Sequence, residues 1–312
     1  MTKSVLKIAT RESPLAMWQA RYVADQLQRA HPGLTVELLG MSTEGDRFLA
    51  ARLASMGGKG LFVKELEQAL LTGAADLAVH SMKDVPVALP EGLEIAVIMA
   101  REDPRDAYIA NEGVPSLMEL PAGSRIGTAS MRRRMQLQSL RPDLEYLDLR
   151  GNVGTRLRKL REGEFHAIIL AAAGLKRLGM AHEITAIFEH DELIPAIGQG
   201  ALGLECRSDD AITQSLIAPL NDRSTQVCVM AERALNESLD GGCHLPVAGH
   251  ARWQGGEIVL SALVAGMSPL RVVRGSITAT ADNAIKAGAE LGGQLLRNGG
   301  AEILETLKAE GV

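Results

Sequence analysis

The sequence predicts an α/β protein: two similar α/β units with a cleft between them, then a small C-terminal α+β domain with a three-stranded antiparallel sheet. Three observations carry this. Short apolar runs alternate with helical patterns over the first two thirds of the chain. Arg125-Ile126-Gly127-Thr128 echoes Lys7-Ile8-Ala9-Thr10, and a helix start follows each. Beyond Asn221-Asp222-Arg223 the pattern becomes helix, three strands on short turns, and helix.

At 312 residues the chain exceeds one comfortable core. The expected division is 1–100 with 201–219, 101–200, and 220–312. Composition is that of a globular protein, 46% hydrophobic and 23% charged. No apolar run approaches a membrane span, and charge breaks Val5-Leu6-Lys7-Ile8, so no signal-peptide core is read there. Cys206, Cys228 and Cys243 form neither an even set nor a close metal spacing. A reduced, cytoplasmic setting, no metal and no membrane partner are therefore expected. A net charge of −5 argues against a nucleic-acid partner.

Val5–Thr10 reads as a strand. Ser13 and Pro14 then open a helix as N-cap and first helical residue, with Ala16, Ala20, Val23 and Leu27 on its inner face. Arg11 beside that helix start suits either an anion site or an ordinary capped helix. Leu34–Met41 is a second strand. Ser42–Gly60, with Gly57-Gly58-Lys59-Gly60, reads as a mobile loop over a site or as a plain connection. Phe62, Leu66, Ala69 and Leu70 mark a helix leading to a strand at Leu77–Val79.

Pro86 stops regular pairing beyond Val85, so His80, Ser81, Lys83 and Asp84 fall where a strand gives way to a loop. Ligands bind at such ends in open α/β sheets. A hydroxyl, a cation and a carboxylate can meet a ligand that is both anionic and a hydrogen-bond donor. They can equally be a capped strand end with a surface ion pair.

Glu94–Met99 is a strand, and Arg101–Asp106 a charged, proline-broken hinge. In the second unit Ser130 caps a helix carrying Arg132, Arg133 and Arg134. Leu144–Leu149 is a strand before the turn Arg150-Gly151-Asn152-Val153-Gly154-Thr155-Arg156. Arg158 and Arg161 extend the next helix, Ala167–Ala171 is a strand, and Ala172–Leu178 is a helix with Lys176 and Arg177. Cations in a first helical turn oppose the helix dipole. A solvated basic face explains Arg158 and Arg161 but not Arg132, Arg133, Arg150 and Arg156. That cluster implies a compact polyanion such as a polycarboxylate or phosphate.

Ile194–Ala201 reads as the return crossing, and Leu202–Cys206 as a strand rejoining an earlier sheet. A helix ends near Leu239. Strands follow at Val247–Trp253, Glu257–Val264 and Arg271–Thr278, then a helix from Asp282 to Arg297. Within Asp240-Gly241-Gly242-Cys243-His244-Leu245-Pro246, paired glycines strip bulk from one side of Cys243. A thiol displayed this way suits a nucleophile, a covalent attachment point, or a partly buried free thiol.

Together these motifs resemble the porphobilinogen deaminase, or hydroxymethylbilane synthase, family. The resemblance runs through Ala9–Ala16, Gly57–Glu65, His80–Pro86, Arg101–Ala107, Leu149–Arg156 and Gly241–Cys243. It implies two domains like the halves of type II periplasmic binding proteins and a small third domain. It implies a dipyrromethane cofactor joined by a thioether to Cys243. Onto this primer four porphobilinogen units condense with loss of ammonia, giving hydroxymethylbilane. Each pyrrole carries an acetate and a propionate, roughly two negative charges near neutral pH.

The resemblance assigns Arg11, Lys83, Arg132, Arg133, Arg150, Arg156 and Arg177 to these acids, with Ser13, Ser81, Thr128 and Ser130 as neighbouring donors. Among them Ser81, Lys83, Thr128, Ser130, Arg132, Arg133 and Arg156 are expected around the cofactor, together with Asp84. Arg11, Ser13, Arg150, Arg156 and Arg177 are expected around the substrate. Asp84 is the expected catalytic carboxylate, facing pyrrole N–H groups that turn acidic as positive charge develops. Ser55, Ala129 and His244 depart from the common bacterial pattern of lysine, serine and glutamine. A monomer is expected. Two other readings remain: a non-catalytic two-lobed polycarboxylate binder, from the arginines alone, and a Cys-dependent hydrolase.

Overall fold

The computed structural model describes residues 3–41, 63–111, 113–240, 245–267 and 270–309. The chain forms two compact units, Met1–Glu102 with Ala201–Gln226, and Asp103–Gly200 with Val227–Val312. Among the described residues no helix is long and apolar enough to cross a membrane.

The first unit is built on β1 (Val5–Arg11), β2 (Thr35–Met41), β3 (Leu77–Ser81), β4 (Leu93–Ile98) and a returning strand, β10 (Leu202–Arg207). Their order is β2-β1-β3-β10-β4. β2, β1 and β3 are parallel, and β10 runs antiparallel to both its neighbours. Helix α1 (Pro14–Ala30) begins as the sequence dictates: Ser13 accepts the Ala16 N–H at 3.3 Å and Pro14 fills the first turn. Its Ala20, Val23 and Leu27 pack on Leu6, Ile8, Leu77 and Val79. On the other face, Leu66, Ala69 and Leu70 of α2 (Lys64–Leu71) cover Ala9 and Ala78. Covered on both sides, the first three residues of β3, Leu77-Ala78-Val79, are a continuous apolar run rather than an alternating one.

The second unit repeats this plan with β5 (Asp106–Ala110), β6 (Arg125–Gly127), β7 (Glu145–Leu147), β8 (Ala167–Ala171) and β9 (Ala186–Ile187), in the order β7-β6-β8-β5-β9. Again three parallel strands precede an antiparallel one. The difference is where that strand comes from. β10 returns to the first sheet late in the chain, whereas β5 enters the second sheet first. The echoed segments, in β1 and β6, hold the same place in their sheets. Each leads to a serine-capped helix: Ser13 before α1, and Ser130 before α3 (Met131–Leu140). α4 (Val153–Arg161) and α5 (Ala172–Arg177) follow β7 and β8.

The division between the two units, after Glu102, falls within the segment 101–106, which ends at β5, whose first residue, Asp106, is fully buried. A carboxylate can open a buried strand only because cations meet it there. The strand expected over 144–149 is limited to Glu145–Leu147.

After α6 (Ala211–Ile217), α7 (Arg223–Ser238) leads to the antiparallel sheet β11 (Val247–Gln254), β12 (Glu257–Met267) and β13 (Leu270–Ala279). α8 (Ala284–Leu295) is followed by a further helix, α9 (Ala301–Ala309), that the sequence reading did not separate. Gly299, at φ +107°, makes the kink between them. Ala231 and Leu235 of α7, Leu291 of α8 and Ile303 of α9 share the core beneath this sheet. Within the second unit, Met135 and Ile194 pack on Ala248, Leu263 and Ala265.

Candidate functional site

In the first unit the candidate residues gather at one sheet edge. β1 and β3 are parallel neighbours, so Arg11–Ser13 and Ser81–Asp84 both leave the carboxyl end of the sheet, where α/β proteins bind ligands. His80 and Ser81 end β3, while Lys83 and Asp84 lie in a single 3₁₀ turn, Met82–Asp84. Strand alternation sends the two side chains to opposite faces. On the α1 face, Gln19 donates from Nε2 to the Ser81 hydroxyl at 3.0 Å. On the α2 face, His80 Nε2 lies 2.7 Å from Glu205 Oε2, both side chains buried. A carboxylate only accepts, so Nε2 carries the proton of that bond. Buried near them, Glu67 has its carboxyl pushed up by burial and then by Glu205, against the opposing pull of His80. Arg11 and Lys83 are half-buried. Asp84 is exposed and makes no hydrogen bond or ion pair among the described residues.

In the second unit a different group forms at the carboxyl end of β6 and β8. Thr128 is buried, and its hydroxyl accepts the Ser130 N–H at 3.2 Å. The Ser130 hydroxyl in turn accepts the Arg133 N–H at 3.4 Å as the cap of α3. Arg132 and Arg133, in the first turn of that helix, are buried around Asp106. Arg133 donates to Asp106 Oδ1 from Nε and Nη2 and to the Ile169 carbonyl. Arg132 Nη1 lies 2.8 Å from Asp106 Oδ2 and donates to the Ile194 carbonyl. Gln199 Nε2 also donates to Asp106 Oδ1, at 2.9 Å. Burial opposes the Asp106 charge, but the two guanidiniums outweigh it and hold the carboxyl well below the usual range. Arg132 is pulled down by burial against the opposing effect of Asp106. Arg177, also buried, donates to the Gly200 carbonyl at 2.7 Å.

Arg150 and Arg156 have other partners. Arg150 is exposed and pairs with Asp148 at 3.0 Å. Arg156 donates from Nε to the Gly151 carbonyl at 2.7 Å. Gly151 has φ +112°, which fixes the turn before α4. Cys243, Ser55 and His244 lie outside the described residues.

Crowded arginines at a helix start call for an anion. The chain supplies one itself, Asp106. One carboxylate against two guanidiniums leaves a net positive charge. In addition, the Arg132 Nε is buried with no hydrogen-bond partner among the described residues. An orphaned guanidinium donor in a cluster with excess positive charge fits a carboxylate-bearing group. Sequence reasoning missed Asp106, Gln199, Gln19 and Glu205. Only Asp106 left a trace, as an acid directly before the apolar run Ala107-Tyr108-Ile109-Ala110.

Comparison with known proteins gives two kinds of finding. Solved structures align at low identity. The aliphatic sulphonate binding protein SsuA from Escherichia coli is 13% identical over 77% of this chain and 71% of its own, with a TM-score of 0.41. The BvgS VFT2 domain from Bordetella pertussis (double mutant F375E/Q461E) is 16% identical over 70% and 85%, with a TM-score of 0.40. Family models match far more of the chain. "Porphobilinogen deaminase, dipyromethane cofactor binding domain" matches residues 6–215, and "Porphobilinogen deaminase, C-terminal domain" matches residues 226–297. With both models matched in order over nearly its whole length, the chain belongs to the porphobilinogen deaminase family.

Proposed function

We propose that Asp84 is the catalytic group of this transferase and that Cys243 anchors its dipyrromethane cofactor. Family membership itself gives the reaction: porphobilinogen is deaminated and condensed head to tail in tetrapyrrole synthesis, on a bound dipyrromethane. The residue roles are the proposal, and hydroxymethylbilane synthase is the activity assigned. When bound, the dipyrromethane supplies the free pyrrole α-carbon that primes the chain.

The protein's own tasks follow from charge. Arg132 and Arg133, with Thr128, Ser130, Ser81, Lys83 and Arg156, hold cofactor carboxylates. Arg11, Ser13, Arg150, Arg156 and Arg177 orient the acetate and propionate of incoming porphobilinogen. Asp84 faces the pyrrole N–H of the substrate. As ammonia leaves the aminomethyl carbon, positive charge spreads over the ring, and a fixed carboxylate stabilises it. The same carboxylate accepts or relays the proton released when the new carbon–carbon bond restores aromaticity.

The observation that carries this reading is the orphaned Arg132 Nε beside a two-to-one excess of guanidinium over carboxylate. Division into domains 1–100 with 201–219, 101–200 and 220–312, a cytoplasmic setting and a monomer complete the proposal. A polycarboxylate binder without catalysis would carry no covalent adduct. Intact mass of the purified protein tests this: a two-pyrrole addition, mapped to the Cys243 peptide, supports the reading, and an unmodified Cys243 in active protein contradicts it.

A further inference from the structure

The turn that carries Asp84 is tied to β10 more heavily than a surface turn requires. Ser81 pairs with Leu202 and His80 with Gly203 in the antiparallel register. The Met82 N–H donates to the Ala201 carbonyl at 3.0 Å. Met82 is buried, and a Cβ on Gly203 would lie 2.2 Å from its sulfur, so glycine is what lets the turn settle on β10. Beneath these contacts lies the His80–Glu205 pair. Glu205 Oε1 is buried and has no hydrogen-bond partner among the described residues, so Oε2 carries the 2.7 Å contact with His80. A buried carboxylate satisfied on one oxygen costs stability that an apolar residue of similar volume would not. Stability therefore does not explain its presence. Among the described residues its one side-chain hydrogen bond is to the side chain immediately before Ser81, with the Glu67 carboxyl as its acidic neighbour.

We infer that Glu205, acting through His80, is a positioning residue for the turn Ser81–Asp84. The inference rests on the reading of Asp84 as the catalytic group. Gln19 holds Ser81 from the opposite face, so the strand end is gripped from both sides of the sheet. Releasing one grip leaves the turn attached by its backbone but free to shift. A displacement of about 1 Å at a reacting group costs on the order of 100-fold in rate.

The test compares Glu205→Leu, Glu205→Gln and Asp84→Asn as purified holoenzymes, with cofactor mass and thermal melting recorded for each. Leucine keeps the volume and removes the acceptor, whereas the glutamine carbonyl still accepts from His80 Nε2. The expected result is that Glu205→Leu melts cooperatively, lowers kcat roughly 10- to 100-fold and leaves KM within about twofold. Glu205→Gln recovers kcat to within about threefold of wild type, because the hydrogen bond survives. If Glu205→Leu does not fold, Glu205→Asp, which retracts the acceptor by one methylene, is held to the same criterion. Wild-type kcat in whichever of these two folds, with turnover lost in Asp84→Asn, overturns the positioning role alone. So does a glutamine variant as slow as the leucine one. Wild-type turnover in Asp84→Asn overturns the catalytic reading itself.

Discussion

Arg133 grips one oxygen of Asp106 with two hydrogen bonds, from Nε at 3.0 Å and from Nη2 at 2.7 Å, and both side chains are buried. The contact fixes the start of β5 against the first turn of α3. Removing the carboxylate leaves two buried guanidiniums without their anion. Asp106→Asn should therefore destabilise the protein by about 3–5 kcal/mol. The sign with pH is also set. The folded carboxyl lies below its unfolded value of about 3.9, so its contribution is fully present above that value and fades as pH falls through the folded one. Melting temperatures of wild type and Asp106→Asn should converge in acid. A gap that stays constant into that range would contradict the ion-pair account.

Arg132→Lys keeps the charge but removes the Nε–H that has no partner within the described chain. Lysine cannot present a planar fork. Losing one charge-assisted hydrogen bond should weaken docking of the acidic pyrrole group, before its thioether to Cys243 forms, by about 1.5–3 kcal/mol. The holoprotein fraction, read by intact mass, should fall. An unchanged fraction would place the guanidinium in a purely internal role.

Cys243→Ser should abolish stable cofactor attachment, since a thioether requires sulfur. Denatured mutant protein should carry no pyrrole chromophore and show no turnover. Persistence of the chromophore would move the attachment point elsewhere.

Cys206 offers a contrast. It is buried in β10, and burial first, then Glu94, pushes its thiol up to about 12. At pH 8 its thiolate fraction is then about 10⁻⁴. Iodoacetamide should leave Cys206 unmodified in the native protein and alkylate it after denaturation. Native labelling at the rate of an ordinary free thiol would contradict this.

A backbone constraint can be tested in the C-terminal part of the second unit. A Cβ on Gly288 would lie 2.1 Å from the Ala231 carbonyl oxygen. Gly288→Ala would gain about 1 kcal/mol of helix propensity. It would also force α8 away from α7, an overpacking cost of about 1–3 kcal/mol or more where backbone must move. The net expectation is a lower melting temperature, and a rise would show that the helices separate at little cost.

Most of the architecture was legible because its signals are local. Ser13-Pro14 and Ser130 announce their helices, Ala167–Ala171 is the strand it reads as, and the β1–β6 echo marks equivalent places in two sheets. What was not legible is what depends on distant partners. Asp106 looks like one more charge in a polar crossing until Arg132 and Arg133 fold over it. His80 looks like a loop residue, but its partner Glu205 lies 125 positions away. Asn298-Gly299-Gly300 marks the end of α8 locally, and Gly299 takes the positive φ there. That a second helix, α9, follows directly depends on Ile303, Leu304 and Leu307 packing into the core beneath the C-terminal sheet. The motifs nominate groups for the site, and only the fold shows which of them neutralise one another.

The catalytic assignment is tested most directly by single-turnover release of ammonia from porphobilinogen by cofactor-loaded Asp84→Asn. Asparagine preserves shape and removes the charge at an exposed turn, so the melting temperature should stay near that of wild type. The account predicts a rate lower by roughly 10²- to 10⁴-fold, the usual contribution of a positioned acid or base. Release at the wild-type rate by folded, loaded protein would contradict it.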